Sequence, residues 1–264
     1  MSQIHPTAIV GDDAELGEDV VVHPYTIIEN GTRIGDRCTI GPFAVVRTGT
    51  LIGEGSAVHT GAVLGEPPQD QKYRGEESYL IIGRDNQIRE FVTLHKATGE
   101  GEATEIGDDN LIMAYSHAGH NCKIGSGCLI SNDAGLSGHV VIEDYVNIGG
   151  KTGIHQFVTV GTMAMIGGMS RITMDVPPYC LAEGYHAEPH SINVRGLQRR
   201  GLTEDQIAAL RRAFRLIFRS EYNVSQALAK LEEDEQILTE HVRHLIEFMR
   251  RVSTGYRGRQ ANPH

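Results

Sequence analysis

Residues 4–64 read IHPTAIVGDDAELGEDVVVHPYTIIENGTRIGDRCTIGPFAVVRTGTLIGEGSAVHTGAVL, and every sixth position is aliphatic. Ile4, Val10, Leu16, Val22, Ile28, Ile34, Ile40, Val46, Ile52, Val58 and Leu64 follow without a miss. The count resumes at Ile82, Ile88 and Leu94, again at Ile106 and Ile112, and then from Ile124 to Ile172. Of the 29 positions from 4 to 172, 25 are Ile, Leu or Val; the exceptions are Asp70, Glu76, Glu100 and Ala118. No helix or flat alternating strand repeats every six residues. One side of a triangular coil does: a short strand, then a tight corner. Three sides make a coil of about 18 residues, and stacking puts the aliphatic residues inside. At roughly 4.8 Å per coil, nine or ten coils form a prism about 45 Å long. Gly, Asp and Asn fill the remaining positions and permit corners with positive φ.

Composition fits one large repeat domain and an appendage. The chain has 31 Gly, no Trp and 40% hydrophobic residues. No apolar run approaches membrane length, and the N-terminus MSQIHPTAIV lacks a basic-then-apolar signal pattern. Cys38, Cys122, Cys128 and Cys180 have no paired spacing, so reduced thiols in the cytoplasm are expected.

Two polar stretches break the count, GEPPQDQKYRGEESYLI at 65–81 and KATGEGEATE at 96–105. They are expected to be loops thrown out from corners, either tolerated insertions or carriers of function. The repeat domain is expected over 1–190 and a helical domain over 191–264. Thr203 and Gln206 are spaced for a capping box, and Ile207, Leu210, Phe214 and Ile217 share one helical face. Two further helices are expected near 225–232 and 236–251, the latter burying Leu238, Val242, Leu245, Ile246 and Met249. Residues 253–264 are expected to fray.

Charge divides with the domains. Residues 1–194 carry 11 Lys+Arg against 25 Asp+Glu, whereas residues 195–264 carry 13 against 9. Arg195, Arg199, Arg200, Arg211, Arg212, Arg215 and Arg219 cluster. They form either a solvated helix face or a dock for an acidic partner or phosphates. The overall charge of −10 and the lack of a stacking platform argue against nucleic acid.

Four of the 13 histidines, His5, His23, His59 and His95, fall at multiples of 18. They are expected to form a column along one edge, structural or at a subunit boundary. The denser run is Ala114-Tyr-Ser-His117-Ala118-Gly-His120-Asn121-Cys122, followed by Ser137-Gly138-His139 and His155-Gln156-Phe157. These groups lie about one coil apart, so they should sit on neighbouring rungs. A histidine working near pH 7 can take a proton from a hydroxyl, a step worth about 10²–10⁴-fold in rate.

The prism, GEPPQDQKYRGE at 65–76, VTLHKAT at 92–98, SHAGHNC at 116–122, GGKTGIHQF at 149–157, DVPPY at 175–179 and NVRGLQRRG at 193–201 together resemble the UDP-N-acetylglucosamine O-acyltransferase family. The resemblance covers nearly the whole chain. It implies a mainly β protein, a left-handed parallel β-helix of hexapeptide repeats with a C-terminal α-helical domain, assembled as a homotrimer with sites between subunits. It implies transfer of an (R)-3-hydroxyacyl group from acyl carrier protein to the glucosamine 3-hydroxyl of UDP-N-acetylglucosamine, the first step of lipid A biosynthesis, with no metal or bound cofactor. His120 matches the general base, and the Gly138 N–H an oxyanion donor. Asp70, Lys72, His95, His117, His139, His155, Gln156, Asn193, Arg199 and Arg200 match substrate-contacting positions. Gly168 lies where a side chain would cap the acyl channel, and its absence leaves room for a longer chain. The family block usually reads His-Asp-Cys; Asn121 stands here in place of the acid. Rival expectations are the related N-acyltransferase of the same pathway, a zinc hydratase on the same prism, and a non-catalytic scaffold.

Overall fold

A computed structural model of the protein describes residues 2–261. The chain winds a left-handed parallel β-helix of three sheets. The first sheet stacks ten parallel strands, from Gln3–Ile4 to Cys180–Glu183, and ends on the antiparallel strand Glu188–Ile192. The second runs in nine strands from Ile9–Val10 to Arg171–Ile172, and the third in eight from Glu15–Leu16 to Thr159–Val160. Most strands are two residues long, and the second residue is the inward aliphatic. Ile28, Ile34, Ile40, Ile88, Ile112 and Ile148 are each 1% exposed or less. Each such burial contributes about 1.5–3 kcal/mol. Ile4 is 48% exposed because the first coil has nothing beneath it.

The corners take Gly, Asp and Asn as expected, and also aromatic, His, Lys, Arg and Met side chains. At most turns the positive φ falls on a non-glycine residue three positions after the inward aliphatic: Tyr25, Phe43, Asp109, Tyr115, Asn121 and His139 among them. Two residues before the inward aliphatic, a small polar side chain bonds the next coil's carbonyl. Thr26 Oγ1 donates to the Gly41 oxygen at 2.9 Å, Asn110 Nδ2 to Gly125 at 2.9 Å, and Cys122 Sγ to Ser137 at 3.1 Å. All four cysteines are free and buried; three are corner residues of this kind.

Both loops are shorter than expected. Tyr79–Ile82 and Ala103–Ile106 are strands, so the excursions are 67–78 and 96–102. The first adds twelve residues and the second six. Multiples of six preserve the aliphatic count but change which face follows. His95 therefore leaves the expected column. His5, His23 and His59 stay in line on the first sheet, and the next rung above His59 is Arg89. His95 ends a strand of the second sheet, opposite Glu66.

The segment after Pro178 is a hairpin, Cys180–Glu183 with Glu188–Ile192. Four helices follow: α1 Val194–Arg199, α2 Glu204–Phe218, α3 Val224–Glu233 and α4 Glu240–Thr254. Thr203 caps α2 with the full capping box to Gln206, and Ile207, Leu210, Phe214 and Ile217 are buried. Helix α4 begins four residues later than expected, because Thr239 caps it, and Leu238 is only half-buried. Residues 253–261 are not frayed. Ser253 and Thr254 end α4, and 255–261 fold back on the prism; residues 262–264 lie outside the described residues. Among the described residues, no helix is long and apolar enough to cross a membrane.

Candidate active site

Both loops leave the same corner, between the second and third sheets, and meet there. Gly99 N–H donates to Glu76 Oε1 at 2.9 Å, and Gly101 N–H to the Glu77 oxygen at 2.8 Å. This corner also carries 119–122, 137–140 and 155–158 on successive coils. His120 and His139 meet edge to face at 5.1 Å, and His139 stacks on Phe157 at 4.6 Å. His95 and His117 meet edge to face at 4.8 Å. Ala118, the small inward residue, is 2% exposed.

Asn121 orients His120, a role not legible in the sequence. Its Oδ1 accepts from Thr98 N–H at 3.0 Å while its Nδ2 donates to the Thr98 oxygen at 3.1 Å. These two backbone partners allow only one amide orientation. Asn121 Oδ1 then lies 2.9 Å from His120 Nδ1, which must carry the proton. The lone pair of His120 is thereby left on Nε2.

Nε2 faces two groups. Asp70 Oδ2, from the 67–78 loop, lies 3.9 Å away, with both side chains less than one-fifth exposed. The Lys72 backbone N–H donates to Asp70 Oδ1 at 2.9 Å and leads the interactions that hold this carboxyl below its ordinary range. Lys72 itself is exposed. The other neighbour is Gly138. A Cβ there would stand 2.4 Å from His120 Nε2, so any side chain would displace the ring or the turn. The Gly138 N–H donates to nothing among the described residues. The turn geometry causes this, since Pro24, Pro42 and Pro178 hold the same turn position without any N–H.

Burial disfavours the charged form of the surrounding imidazoles. His95, 4% exposed, is pushed down to about 4 by desolvation and then by the His117 ring. Burial also lowers His117, whose Nδ1 lies 2.7 Å from Thr93 Oγ1, and His139. This has a measurable consequence. The unfolded chain takes up protons from about pH 6.5 downward while native His95 stays neutral to about 4, so stability falls as pH falls across that window. Thermal unfolding from pH 7 to 4 should show a drop that is smaller in His95→Gln; equal slopes would refute it. Among the described residues, no three His, Cys, Asp or Glu side chains converge to hold a metal.

Other site candidates lie apart. His155 and Gln156 are exposed on the same corner as His120, one coil beyond His139. Asn193 caps α1: its Oδ1 accepts from Gly196 N–H at 3.1 Å and its Nδ2 donates to the Met163 oxygen at 3.0 Å. It borders a cavity of about 470 Å³ with Arg195, Arg199 and the outward residues Asn147, Met165 and Leu181. Those three belong to the first sheet, so one chain does not bring this cavity to the histidine corner. Arg200 stacks on Tyr145 at 4.1 Å. Gly168 is exposed, and a Cβ there would come 3.3 Å from the Gly150 oxygen. Arg212, Arg215 and Arg219 line one cavity of about 970 Å³ on the helical domain. Arg212 pairs with Asp234 at 2.6 Å, while Arg211, Arg215 and Arg219 flank a cavity of about 360 Å³ beside Phe214.

Residues 31–66 and 103–138 match the bacterial transferase hexapeptide family, which defines the class as a hexapeptide-repeat transferase. Residues 175–258 match the second domain of UDP N-acetylglucosamine O-acyltransferase. A Burkholderia orbicola protein named acyl-[acyl-carrier-protein]–UDP-N-acetylglucosamine O-acyltransferase is 52% identical over 234 residues, covering 88% of this chain and 89% of that one. A Synechocystis protein of the same name is 51% identical over 177 residues, 67% of this chain; the match spans 64% of that relative's length. The crystal structure of a UDP-N-acetylglucosamine acyltransferase from Bacteroides fragilis superposes with a TM-score of 0.91 at 36% identity, covering 94% of this chain and 97% of that one. The chain belongs to the UDP-N-acetylglucosamine O-acyltransferase family and is an acyltransferase.

Proposed function

We propose that this protein transfers an (R)-3-hydroxyacyl group from acyl carrier protein to the 3-hydroxyl of UDP-N-acetylglucosamine, in the cytoplasm, as the first step of lipid A biosynthesis. One observation carries the reading: His120 is held at Nδ1 by Asn121, leaving a basic Nε2 beside the free Gly138 N–H. Nε2 takes the proton of the sugar 3-hydroxyl as that oxygen attacks the thioester carbonyl. The tetrahedral oxyanion accepts the Gly138 N–H. Collapse breaks the carbon–sulfur bond, and the departing thiolate takes the proton from His120. The Asp70 carboxylate, 3.9 Å from Nε2, offsets the positive charge the ring carries between those steps. His95, His117, His139, Gln156 and Lys72 line the acceptor cleft, and His155 faces the diphosphate. Gly168 leaves the acyl channel uncapped.

A second copy that sets its Asn193, Arg199 and Arg200 edge against the His120 corner completes the site, and a homotrimer supplies three such pairs. The separation of the two regions on different sheets supports this arrangement. Arg forks suit a diphosphate. Incubation with UDP-N-acetylglucosamine and carrier proteins loaded with graded 3-hydroxyacyl chains, read by mass spectrometry, tests the reading. Acylated nucleotide sugar, with long chains accepted, is expected; unmodified acceptor with every donor would refute it.

Two further results are expected. Asn121→Leu removes the amide but not the bulk, freeing the ring to turn and the proton to move to Nε2. It should lower kcat roughly 10–100-fold with little change in KM for the nucleotide sugar; unchanged kcat would remove Asn121 from this role. The acidic carrier protein docks on the Arg211–Arg215 surface. Reversing both to Glu should raise the carrier's KM about tenfold and flatten its salt dependence, leaving the nucleotide sugar's KM unchanged. Identical carrier kinetics would move the dock elsewhere.

A further inference from the structure

The C-terminal arm, residues 255–261, returns from α4 to the corner that carries His155. An antiparallel bridge between Tyr256 and Arg259 folds it. Asp175 N–H donates to the Gly258 oxygen at 2.8 Å, and Gln260 N–H donates to Asp175 Oδ2 at 2.8 Å. Gly258 has φ +74, and a Cβ there would stand 2.9 Å from Met174 Sδ, so the approach requires glycine. Three anchors thus fix the next residue, Arg259, which is 8% exposed. Its Nη1 lies 2.9 Å from His155 Nδ1 and donates to the Gln156 oxygen at 2.8 Å.

Asp175 is the acidic neighbour of Arg259, yet the buried Arg259 Nε has no hydrogen-bond partner among the described residues, a cost that calls for a use. His155 Nδ1 also lies 3.1 Å from the Gln156 oxygen, but that oxygen already accepts from Nη1, and the closer Nη1 contact, from a group with no acceptor, requires the lone pair on His155 Nδ1. The proton of a neutral His155 must then sit on Nε2. The two corner histidines are therefore set in opposite tautomers. Asn121 leaves His120 a lone pair on Nε2, whereas Arg259 leaves His155 an N–H there.

The surroundings of His155 suit an anion. On the adjoining face the outward residues of successive rungs are His117, Gly135, Gly153 and Arg171. A Cβ at Gly135 or Gly153 would meet nothing within 4 Å, so the two glycines leave a hollow. It is about 220 Å³, bordered by Ser137, His155, Arg171 and Thr173. It runs along the stack from Gly135 to Arg171.

We propose that Arg259 is a positioning residue for the nucleotide sugar: the C-terminal arm fixes His155 as an Nε2–H donor to the diphosphate and places a positive charge directly behind it. The inference rests on the reading above that His155 faces the diphosphate. Its test uses the full-length protein, with UDP as the calorimetric probe and steady-state kinetics alongside. Arg259→Met should raise the Kd for UDP and the KM for the nucleotide sugar about tenfold, the worth of one charge-assisted hydrogen bond. It should leave kcat and the carrier protein's KM within about twofold. Arg259→Lys, which also only donates, should recover most of the affinity. His155→Ala should weaken UDP to a similar extent, and Arg259→Met should add nothing in the His155→Ala background. If Arg259→Met does not fold, Arg259→Gln takes its place; an amide can accept as well as donate and so releases the tautomer. Normal UDP binding in the Arg259 variants, with a loss in His155→Ala, would overturn the proposal alone. So would losses that multiply in the double variant. Normal binding in His155→Ala would instead remove His155 from the diphosphate, and the proposal with it.

Discussion

His120→Ala should lower kcat by about 10²–10⁴-fold, the worth of a positioned general base, while the KM for the nucleotide sugar moves less than about threefold. The split follows from what the ring touches. Nδ1 is committed to Asn121, and Nε2 is the atom available to the acceptor hydroxyl. The ring adds little to folding, since it packs at a part-exposed corner with His139 as its ring neighbour. Unfolding temperature should therefore fall by no more than a few degrees. Wild-type kcat in His120→Ala would discard the base assignment. Comparable kcat losses in His117→Ala and His139→Ala would assign the chemistry to the cluster instead of to one ring.

Gly138→Ala should be nearly as damaging although it removes no functional group. The added methyl would stand 2.4 Å from His120 Nε2 and 2.6 Å from Cε1, a separation that real Cβ atoms do not show. The ring must swing away, breaking its alignment with Asn121, or the 137–139 turn must move and carry the N–H off the oxyanion. Either displacement is of ångström size, which costs about 10²-fold in a site that works by position. Because both changes act through one constellation, Gly138→Ala in the His120→Ala background should produce little further loss. A fully active Gly138→Ala enzyme would show that neither the ring nor the N–H is held as described.

The aliphatic count made the prism legible because a period of six admits one solution. It could not reveal how the faces are dealt out after residue 64. Insertions of twelve and six residues keep the count and shift the face, so the count puts His95 on the His59 edge although it lies on the next sheet. The histidine block was legible from the clustering of imidazoles one coil apart. Its orienting group was not. Asn121 stands in place of an acid, and its use depends on the Thr98 backbone, which grips both ends of the amide from a loop 23 residues away. The signal that points to it is the positive φ that the corner rule assigns to position 121. The arm at 255–261 was unreadable for another reason. It has no periodicity, and its contacts with Asp175 and His155 are some 85 and 104 residues away in sequence.

Subunit complementation gives the most direct test. His120→Ala homotrimers lack the base, and Asn193→Ala/Arg199→Ala homotrimers lack the nucleotide edge, so each alone should be nearly inactive. Co-expressed and isolated as mixed trimers, they should regain a substantial fraction of wild-type acyl transfer, because one junction in three then pairs an intact base with an intact edge from its neighbour. Mixed trimers no more active than their parents would mean that the two regions do not act in one cleft, and the site proposed between copies would have to be abandoned.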